Sequence, residues 1–299
     1  YSQQYTSSFS CCPLCENTKY DIISQVDEFC FPATFAVCSK CGLLYQMTHL
    51  ADEKMDDNYR HYSLIIRGKE VNNDEYLEKL FMSRVNSFVK QRCSFYKENI
   101  HLSSNHVIVE IGTNDGANLY PYFLKGHTVI GFDLDPRSIS TGIKKGLDLR
   151  NSDAFEWLQE NQDKKKLIIL THFLEHVKHP KLFMEKLRAY TSPHDFIFVE
   201  VPGLRDKAWL NPKAGVLPYL NYEHYTGFHL GTLKYLMEKS GFKLVVGNEY
   251  IESIWVPDKV TNPEVPMFDT LKYVDQIEKS YLFSLRGVIK EIIYQLTDR

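Results

Sequence analysis

Residues 107–116 read Val-Ile-Val-Glu-Ile-Gly-Thr-Asn-Asp-Gly, and this stretch decides the fold that we expect. The β-branched run at 107–109 is typical of a strand that is buried on both faces. Gly112 and Gly116 then bracket a turn ahead of a helix start at Ala117. Glycines let a ligand approach the backbone, and a helix N-terminus offers unpaired N–H groups. The stretch therefore predicts a strand, a ligand-binding turn and a helix, in that order.

The spacing of the glycines narrows the class of ligand. Glu110 and the two glycines form the pattern Glu-x-Gly-x-x-x-Gly, and Asn114 stands where the dinucleotide pattern Gly-x-Gly-x-x-Gly has its middle glycine. The turn lacks the Lys-Ser/Thr pair of a triphosphate-binding loop. The Glu-x-Gly-x-x-x-Gly pattern instead resembles that of enzymes that use S-adenosyl-L-methionine (SAM). In these enzymes the turn holds a sulfonium amino acid. An ordinary strand–turn–helix with incidental glycines is the alternative interpretation.

Beyond this turn, strands and helices alternate with the rhythm of a doubly wound α/β fold. An amphipathic helix over residues 72–96 should cover the sheet, because its apolar residues recur largely at three- and four-residue steps. We expect further strands at 128–133, 147–149, 167–170 and 196–199, and a final β pair at 242–247 and 251–256.

Side chains that follow the predicted strands are the candidate cofactor ligands. Asp133 ends the second strand about 20 residues after the glycine turn, where a carboxylate can accept both ribose hydroxyls. Asp153 could accept from the adenine amino group with Ala154 near the ring, or it could cap the next helix. The candidate cofactor residues are Glu110, Gly112, Asn114, Gly116, Asp133, Leu134, Asp153, Ala154 and Thr171.

Titratable side chains follow the fourth and fifth predicted strands. His172, Glu175 and His176 come after the fourth strand, and ligands of open α/β sheets bind beyond the carboxyl ends of strands. The insertion after the fifth strand carries Tyr222-Glu223-His224-Tyr225, a set that suits proton transfer from a hydroxyl or an acidic C–H. The candidate catalytic residues are His224, Glu223, Tyr222, His172 and His176.

Four of the seven cysteines form two Cys-x-x-Cys pairs, Cys12–Cys15 and Cys38–Cys41. Two such pairs match a four-cysteine zinc site, because each tight turn presents two thiolates and two turns complete a tetrahedron. Four protein ligands leave the ion no open position, so the zinc would be structural. Disulfides are the alternative, but nothing in the sequence indicates secretion.

Composition excludes several classes of protein. A formal net charge of −3 gives no electrostatic reason to expect a nucleic-acid partner. No apolar run approaches the ~18 residues of a membrane span, and no signal peptide is visible. We therefore expect a soluble, cytoplasmic protein. The chain opens on Tyr1 rather than Met, which leaves open that the natural start lies upstream.

The chain divides into three parts by pattern. Residues 1–67 carry the cysteine pairs, residues 68–260 carry the α/β pattern, and residues 261–299 form a tail. Apolar residues recur at near-heptad spacing from residue 269 onward, which predicts a helix. We expect this helix to pack on its own domain or on a second copy in a homodimer.

Together, the cysteine pairs, the glycine turn and Glu223-His224 resemble the zinc-binding sugar C-methyltransferases of bacterial deoxysugar pathways, over residues 11–250. The resemblance implies a class I SAM-dependent methyltransferase fold, Rossmann-like and doubly wound, with a small N-terminal zinc-binding domain. It also implies SAM and structural Zn²⁺ as cofactors and a nucleotide-linked keto sugar as the small-molecule substrate. His224 would then be the base that removes the proton next to the carbonyl, with Glu223 as its partner, and the enolate would take the methyl group.

The sequence departs from that family in two places. The family pattern is Tyr-x-Glu-His, whereas Asn221 occupies the tyrosine position here and Tyr222 comes one residue late. Members of that family also usually carry a further C-terminal α/β domain, whereas the pattern here runs to one long predicted helix. The acceptor, and whether carbon, oxygen or nitrogen is methylated, therefore stay open.

Two other functions compete with sugar C-methylation. The stretch His172–His176 looks more like generic small-molecule methyltransferases, including O-methyltransferases that use a divalent metal. In that case Glu175, His176 and a later residue such as His224 would coordinate the ion. A non-catalytic binding module is the alternative of another class, and the complete glycine turn, Asp133 and Glu223-His224 argue against it.

Overall fold

The computed structural model describes residues 6–50, 74–205 and 215–282 of the 299-residue chain. The predicted boundary at residues 67–68 and the tail beyond residue 282 lie outside these ranges. Within them, no helix combines the length and the apolar character that crossing a bilayer requires.

Five strands lie in residues 6–50, and strands and helices largely alternate from residue 74 onward. The strands are β1 (Thr6–Ser8), β2 (Tyr20–Val26), β3 (Pro32–Cys38), β4 (Leu44–Gln46), β5 (Thr48–Leu50), β6 (Val107–Ile111), β7 (Val129–Phe132), β8 (Leu149–Arg150), β9 (Lys166–Thr171), β10 (Phe196–Glu200), β11 (Thr226–Gly227), β12 (Phe242–Gly247) and β13 (Glu252–Pro257). The α-helices are Asp74–Arg84, Lys90–Asn99, Tyr120–Phe123, Ser140–Lys144, Phe155–Glu160, Pro180–Ala189, Leu230–Lys239 and a last one at 270–282.

A seven-stranded sheet in the order β12-β13-β10-β9-β6-β7-β8 forms the centre of the molecule. β13 pairs antiparallel with both of its neighbours, and the other pairings are parallel. All five residues of β6 and all six of β9 are buried, because helices cover both faces of the sheet. The predicted α/β, Rossmann-like fold is confirmed by this topology.

The strand order reverses between β6 and β9, which are neighbours in the sheet although two strands separate them in sequence. A crevice opens at such a point beyond the carboxyl ends of the strands, and ligands of open α/β sheets bind there. Here the crevice lies between the glycine turn after β6 and residues 171–176 after β9.

The predicted helix at 72–96 is present with one interruption. Helices Asp74–Arg84 and Lys90–Asn99 are joined by a π-helical turn at Val85–Val89. π-turns inside α-helices are frequent at functional sites, and this one borders the main cavity described below.

The third strand is shorter than predicted. Leu147 N–H donates to the carbonyl of Gly142 and so belongs to the turn that ends helix Ser140–Lys144. Pairing with β7 therefore begins only at Leu149.

Residues 6–50, which we call the cysteine-bearing unit, contain a two-stranded sheet of β1 and β5 and three strands of a four-stranded sheet in the order β11-β4-β3-β2. β11 comes from the insertion after β10, so the α/β part of the chain contributes a strand to this sheet. Val274 and Ile277 of the last helix are buried in the same apolar cluster as Phe35 of this unit. The described part of the tail therefore packs on its own chain, and pairing with a second copy stays a prediction.

Candidate active site

The glycine turn has the left-handed backbone that its residue types suggest. The φ angles of Gly112, Asn114 and Gly116 are +72°, +51° and +77°. Asn is one of the few residues that adopt this conformation at small cost, which explains why it can replace a glycine here. A Cβ on Gly112 would lie 2.4 Å from Cδ2 of Phe173, so the loop after β9 packs directly on the turn.

Asp133 lies beside the turn, as predicted for a ribose ligand. Its Oδ2 accepts from the backbone N–H of Asn114 at 2.8 Å, and its Oδ1 accepts from that of Asp135 at 2.9 Å. Each carboxylate oxygen has a further lone pair for a ligand hydroxyl. Leu134, the next residue, is 78% exposed and offers an apolar surface.

Asp153 precedes helix Phe155–Glu160 without serving as its N-cap. Its Oδ1 accepts from the N–H of Phe155, two residues on, at 2.6 Å. The N-cap position belongs to Ala154, whose side chain makes no capping hydrogen bond, so Asp153 stabilises the turn just ahead of the helix. Ala154 is buried beside it.

A cavity of about 1330 Å³ occupies the crevice between β6 and β9. Pockets for a single small molecule usually measure ~300–1,000 Å³, so this one has room for a cofactor and part of an acceptor. The predicted residues that line it are Glu110, Gly112, Asn114, Thr171 and His172. Gly116, Asp133, Leu134, Asp153 and Ala154 lie outside its lining.

Glu110 is fully buried at the base of this cavity. It accepts hydrogen bonds from Asn118 Nδ2 at 2.6 Å and from Thr113 Oγ1 at 2.9 Å. Burial outweighs these two donors and raises the pKa of Glu110 to about 8. Glu110 can therefore hold a proton near neutral pH and act as a donor or an acceptor toward a ligand.

Arg92 and Glu200 form a buried ion pair in the cavity wall that our sequence analysis missed. Arg92 Nε and Nη2 donate to the two Glu200 oxygens at 2.6 and 2.5 Å, and Nη1 donates to Asn118 Oδ1 at 3.0 Å. Burial alone would raise the pKa of Glu200, but Arg92 and His172 lower it to about 2. Glu200 is the last residue of β10. Its position at the carboxyl end of a strand, which is how His172 was selected, could therefore have indicated it from sequence.

His172 stands at the end of β9 with a φ of +48°, a strained value for a residue other than glycine. Its Nδ1 lies 3.4 Å from Glu175 Oε1 and its Nε2 lies 3.3 Å from Glu200 Oε1. Burial would lower the pKa of His172, but the two carboxylates outweigh it and raise the pKa to about 9. His172 is therefore a cation at neutral pH on the wall of the cavity.

Glu175, His176 and His224 form a second cluster next to His172. One ligand atom of each lies within 4.8 Å of the others, and the two imidazole ring centres are 4.8 Å apart. His176 Nδ1 donates to the backbone carbonyl of Glu223 at 3.0 Å, so a neutral His176 has its lone pair on Nε2, which faces Glu175. Glu175 is 2% exposed, and its Oε1 lies 3.4 Å from His172 Nδ1 and 3.9 Å from His176 Nε2.

The loop that carries His224 is held by backbone and amide contacts. Asn221 Oδ1 accepts from the N–H of Glu223 at 2.7 Å, and Asn221 Nδ2 donates to Glu28 Oε1 at 2.9 Å. Tyr222 packs, half-buried, against the apolar cluster that contains Phe35 of the cysteine-bearing unit. Asn221 thus holds the loop in place from both of its amide atoms.

The four predicted metal ligands, Cys12, Cys15, Cys38 and Cys41, lie close together in the cysteine-bearing unit. The Sγ atoms of Cys12 and Cys41 are 3.6 Å apart, those of Cys15 and Cys38 are 3.5 Å apart, and all four lie within 4.8 Å of one another. Tetrahedral zinc with Zn–S bonds near 2.3 Å places its sulfurs about 3.8 Å apart. The arrangement therefore fits a tetrahedral ion.

Comparison with known proteins agrees with this geometry. A family model described as "Methyltransferase domain" matches residues 76–246, which is more than half of the chain. The chain is 22% identical over 242 residues to the C-methyltransferase NovU of Streptomyces niveus, a match that covers 80% of this chain and 53% of that protein. The chain thus spans about half the length of this curated relative.

Solved structures of methyltransferases also align with the chain. One is a SAM-dependent methyltransferase from Archaeoglobus fulgidus, with 19% identity, a TM-score of 0.42 and coverage of 74% of this chain and 92% of that one. Another is human N-acetylserotonin methyltransferase in complex with SAM, with 17% identity and a TM-score of 0.44. The match covers 67% of this chain and 59% of that one. From its matched domain, the chain belongs to the methyltransferase domain family.

Proposed function

We propose that the enzyme methylates a carbon atom of a nucleotide-linked keto sugar, with His224 as the general base. The observation that carries this proposal is the cluster of Glu175, His176 and His224. It lies next to the cavity of about 1330 Å³, which we call the cofactor cavity because we propose that it holds part of SAM. His172 lines this cavity and lies 3.4 Å from Glu175 of the cluster. The likeness to a protein named C-methyltransferase supports carbon as the methylated atom.

The electrostatics of the cluster suit a neutral base. Burial and the neighbouring His176 lower the pKa of His224 to about 4, so its imidazole is uncharged at neutral pH and can accept a proton. The Glu175 carboxylate would stabilise the imidazolium that forms when His224 takes the proton next to the sugar carbonyl. Glu223 contributes its backbone carbonyl, which orients His176.

Residues of the glycine turn and the ends of β7 and β9 would hold SAM. Asp133 would accept from the ribose hydroxyls, Leu134 would contact the adenine, and Glu110 and Thr171 would face the amino-acid portion. Thr171 Oγ1 is buried, with no hydrogen-bond partner in the described ranges, so it has capacity for a ligand. SAM supplies a methyl group on a sulfonium that leaves as a neutral thioether, and the chain supplies orientation and the base.

Solvent exchange tests the base separately from methyl transfer. Keto sugars linked to nucleotides should exchange the proton next to the carbonyl with deuterium when they are incubated with the enzyme and without SAM. With SAM, mass spectrometry and NMR of the product should locate a new C–C bond. Methyl transfer to a hydroxyl oxygen without any exchange would contradict C-methylation.

Asp133→Ala should weaken SAM binding by about 1–3 kcal/mol, because strong hydrogen bonds to the ligand are lost. Calorimetric titration with SAM measures the change. Asp163→Ala is the matched control, since Asp163 is an exposed acid ahead of β9. Equal SAM affinity in the two variants would place the ribose elsewhere.

Metal-assisted O-methylation is the second candidate, and the same cluster favours it. Glu175, His176 and His224 converge like three metal ligands, and the hydrogen bond from His176 Nδ1 to a carbonyl is typical of a metal-bound histidine. One carboxylate and two imidazoles suit a divalent ion such as Mn²⁺, Fe²⁺ or Zn²⁺. A bound ion would polarise the acceptor oxygen and would occupy the lone pair that a base needs.

Metal titration separates the two candidates. If the cluster binds a divalent ion, Mn²⁺ should bind with 1:1 stoichiometry to the protein, and Glu175→Gln should abolish this binding and activity together. If His224 is the base, a mild chelator that leaves the cysteine site loaded should not change turnover.

We also propose that the four cysteines hold a structural zinc ion. Cys38→Ser should release the metal and lower the unfolding temperature of the cysteine-bearing unit, because a four-ligand site contributes directly to folding. Elemental analysis and limited proteolysis measure these two effects. Cys30→Ser, at an exposed cysteine outside the cluster, should retain the metal. Fresh protein with disulfides and without zinc would contradict the site.

A further inference from the structure

A small cavity of about 10 Å³ borders His224 and is separate from the cofactor cavity. Phe35 and Leu44 of the cysteine-bearing unit supply apolar parts of its wall, and Gln46 and Thr226 supply polar residues. The cavity thus lies where the cysteine-bearing unit meets the loop of His224.

Three of its polar side chains, those of Tyr45, Gln46 and Thr226, are buried and carry atoms without a hydrogen-bond partner in the described ranges. Gln46 is completely buried, and neither its Nε2 nor its Oε1 has a hydrogen-bond partner within the described part of the chain. Thr226 is 2% exposed, and the same holds for its Oγ1. Nearly all buried polar atoms in proteins are hydrogen-bonded to protein or to ordered water. We therefore expect these atoms to bind a small polar molecule.

The size of the cavity selects that partner. A volume of about 10 Å³ is close to that of one water-sized probe and is too small for any part of a sugar. A buried water typically makes about three hydrogen bonds. Gln46, Thr226 and His224 together offer that number of polar groups around the cavity.

Backbone pairing holds Gln46 in place beside the base loop. The N–H of Gln46 donates to the carbonyl of Tyr225 at 2.9 Å, and Tyr45 pairs with Thr226 across β4 and β11. The loop of His224 therefore cannot shift without breaking this ladder.

We propose that an ordered water in this cavity joins the amide of Gln46 to the imidazole of His224, and that Gln46 is a positioning residue for the base. This inference rests on the role of His224 in the proposed function. A hydrogen bond to one ring nitrogen fixes the tautomer and the ring orientation, and so determines which nitrogen faces the acceptor. On this basis the cysteine-bearing unit contributes to catalysis through Gln46 in addition to its own folding.

Nitrogen-15 NMR of the histidine rings tests the link without turnover. The His224 signals are those lost in His224→Ala, and in the wild type they should report a single tautomer. Gln46→Met, which keeps the length of the side chain and removes its polar atoms, should give a mixture of tautomers. It should also lower kcat about tenfold, the equivalent of one hydrogen bond, with the KM for SAM unchanged.

A second variant covers the case in which Gln46→Met does not fold. Thr226→Val removes a second unpartnered group of the cavity and should change the His224 tautomer in the same direction. Thr270→Val is the matched control, because Thr270 is a buried threonine outside the cavity whose hydroxyl likewise has no partner in the described ranges. It should leave the His224 signals unchanged.

The outcomes separate this inference from the proposed function. Unchanged His224 signals in a folded Gln46→Met or Thr226→Val protein would overturn the water link, whatever the activity. A changed tautomer combined with full turnover of His224→Ala would support the link and refute His224 as the base.

Discussion

His224→Ala is expected to lower kcat by about 10²–10⁴-fold, the usual contribution of a positioned base, and to leave SAM affinity unchanged. The imidazole lies in the cluster with Glu175 and His176, which includes none of the residues that we propose to hold SAM, so its removal should affect the acceptor step and spare the cofactor. Single-turnover methyl transfer and calorimetric SAM binding, measured on the same preparation, give the two quantities.

The pH profile of the wild type provides a second measurement of the same group. Because the pKa of His224 is lowered to about 4, its neutral form is present through the physiological range. The contribution of this group to kcat/KM should therefore stay constant from about pH 8 to pH 5 and fall below that as the imidazole is protonated.

The matched control for this substitution is His194→Ala, at an exposed histidine on the turn before β10. It should retain normal kcat. If His224→Ala also retains normal kcat, the catalytic assignment would move to His172 or His176, and with it the choice between carbon and oxygen as the methylated atom.

The fold could be predicted from sequence because the strands of the central sheet are short apolar runs that end in polar residues. β6, β9 and β10 are each buried on both faces, so their composition alone separates them from helices and loops. The two Cys-x-x-Cys pairs were equally informative, since their spacing already implied that four thiols would meet.

The cavity wall was harder to predict because its contacts join distant parts of the chain. Arg92 looks like a polar residue of an amphipathic helix, yet it is 8% exposed and pairs with Glu200, 108 residues away. No local pattern encodes such a pair. A strand-end acid such as Glu200 is the only part of it that sequence position could have indicated.

Asn221 shows how a departure from a family pattern can be explained by structure. In sequence it was only a missing tyrosine, whereas in the structure it bridges the N–H of Glu223 and the carboxylate of Glu28. The pairing of β11 with β4 was likewise invisible, because a two-residue strand carries no periodicity. Both contacts join the base loop to the cysteine-bearing unit.

Gly112→Val is expected to abolish measurable SAM binding and to lower the free energy of unfolding by about 2–5 kcal/mol. The left-handed backbone at φ +72° accounts for ~1–2 kcal/mol of this cost, and crowding by a larger side chain accounts for ~1–3 kcal/mol. The new Cβ would meet the Phe173 ring at 2.4 Å, so either the turn or the loop after β9 must move. Because that loop also carries His172 and Glu175, the substitution should disturb the cluster of Glu175, His176 and His224 together with the cofactor site.

Gly126→Val separates the strain from the crowding in this prediction. Gly126 has a similar φ of +82°, but a Cβ there would have no atom within 4 Å among the described residues. Its substitution should therefore cost only the ~1–2 kcal/mol of backbone strain and leave SAM affinity unchanged. Calorimetric titration with SAM and denaturant unfolding of both variants provide the comparison. Unchanged SAM affinity in a folded Gly112→Val protein would show that contact between the glycine turn and the Phe173 loop is not what shapes the cofactor site.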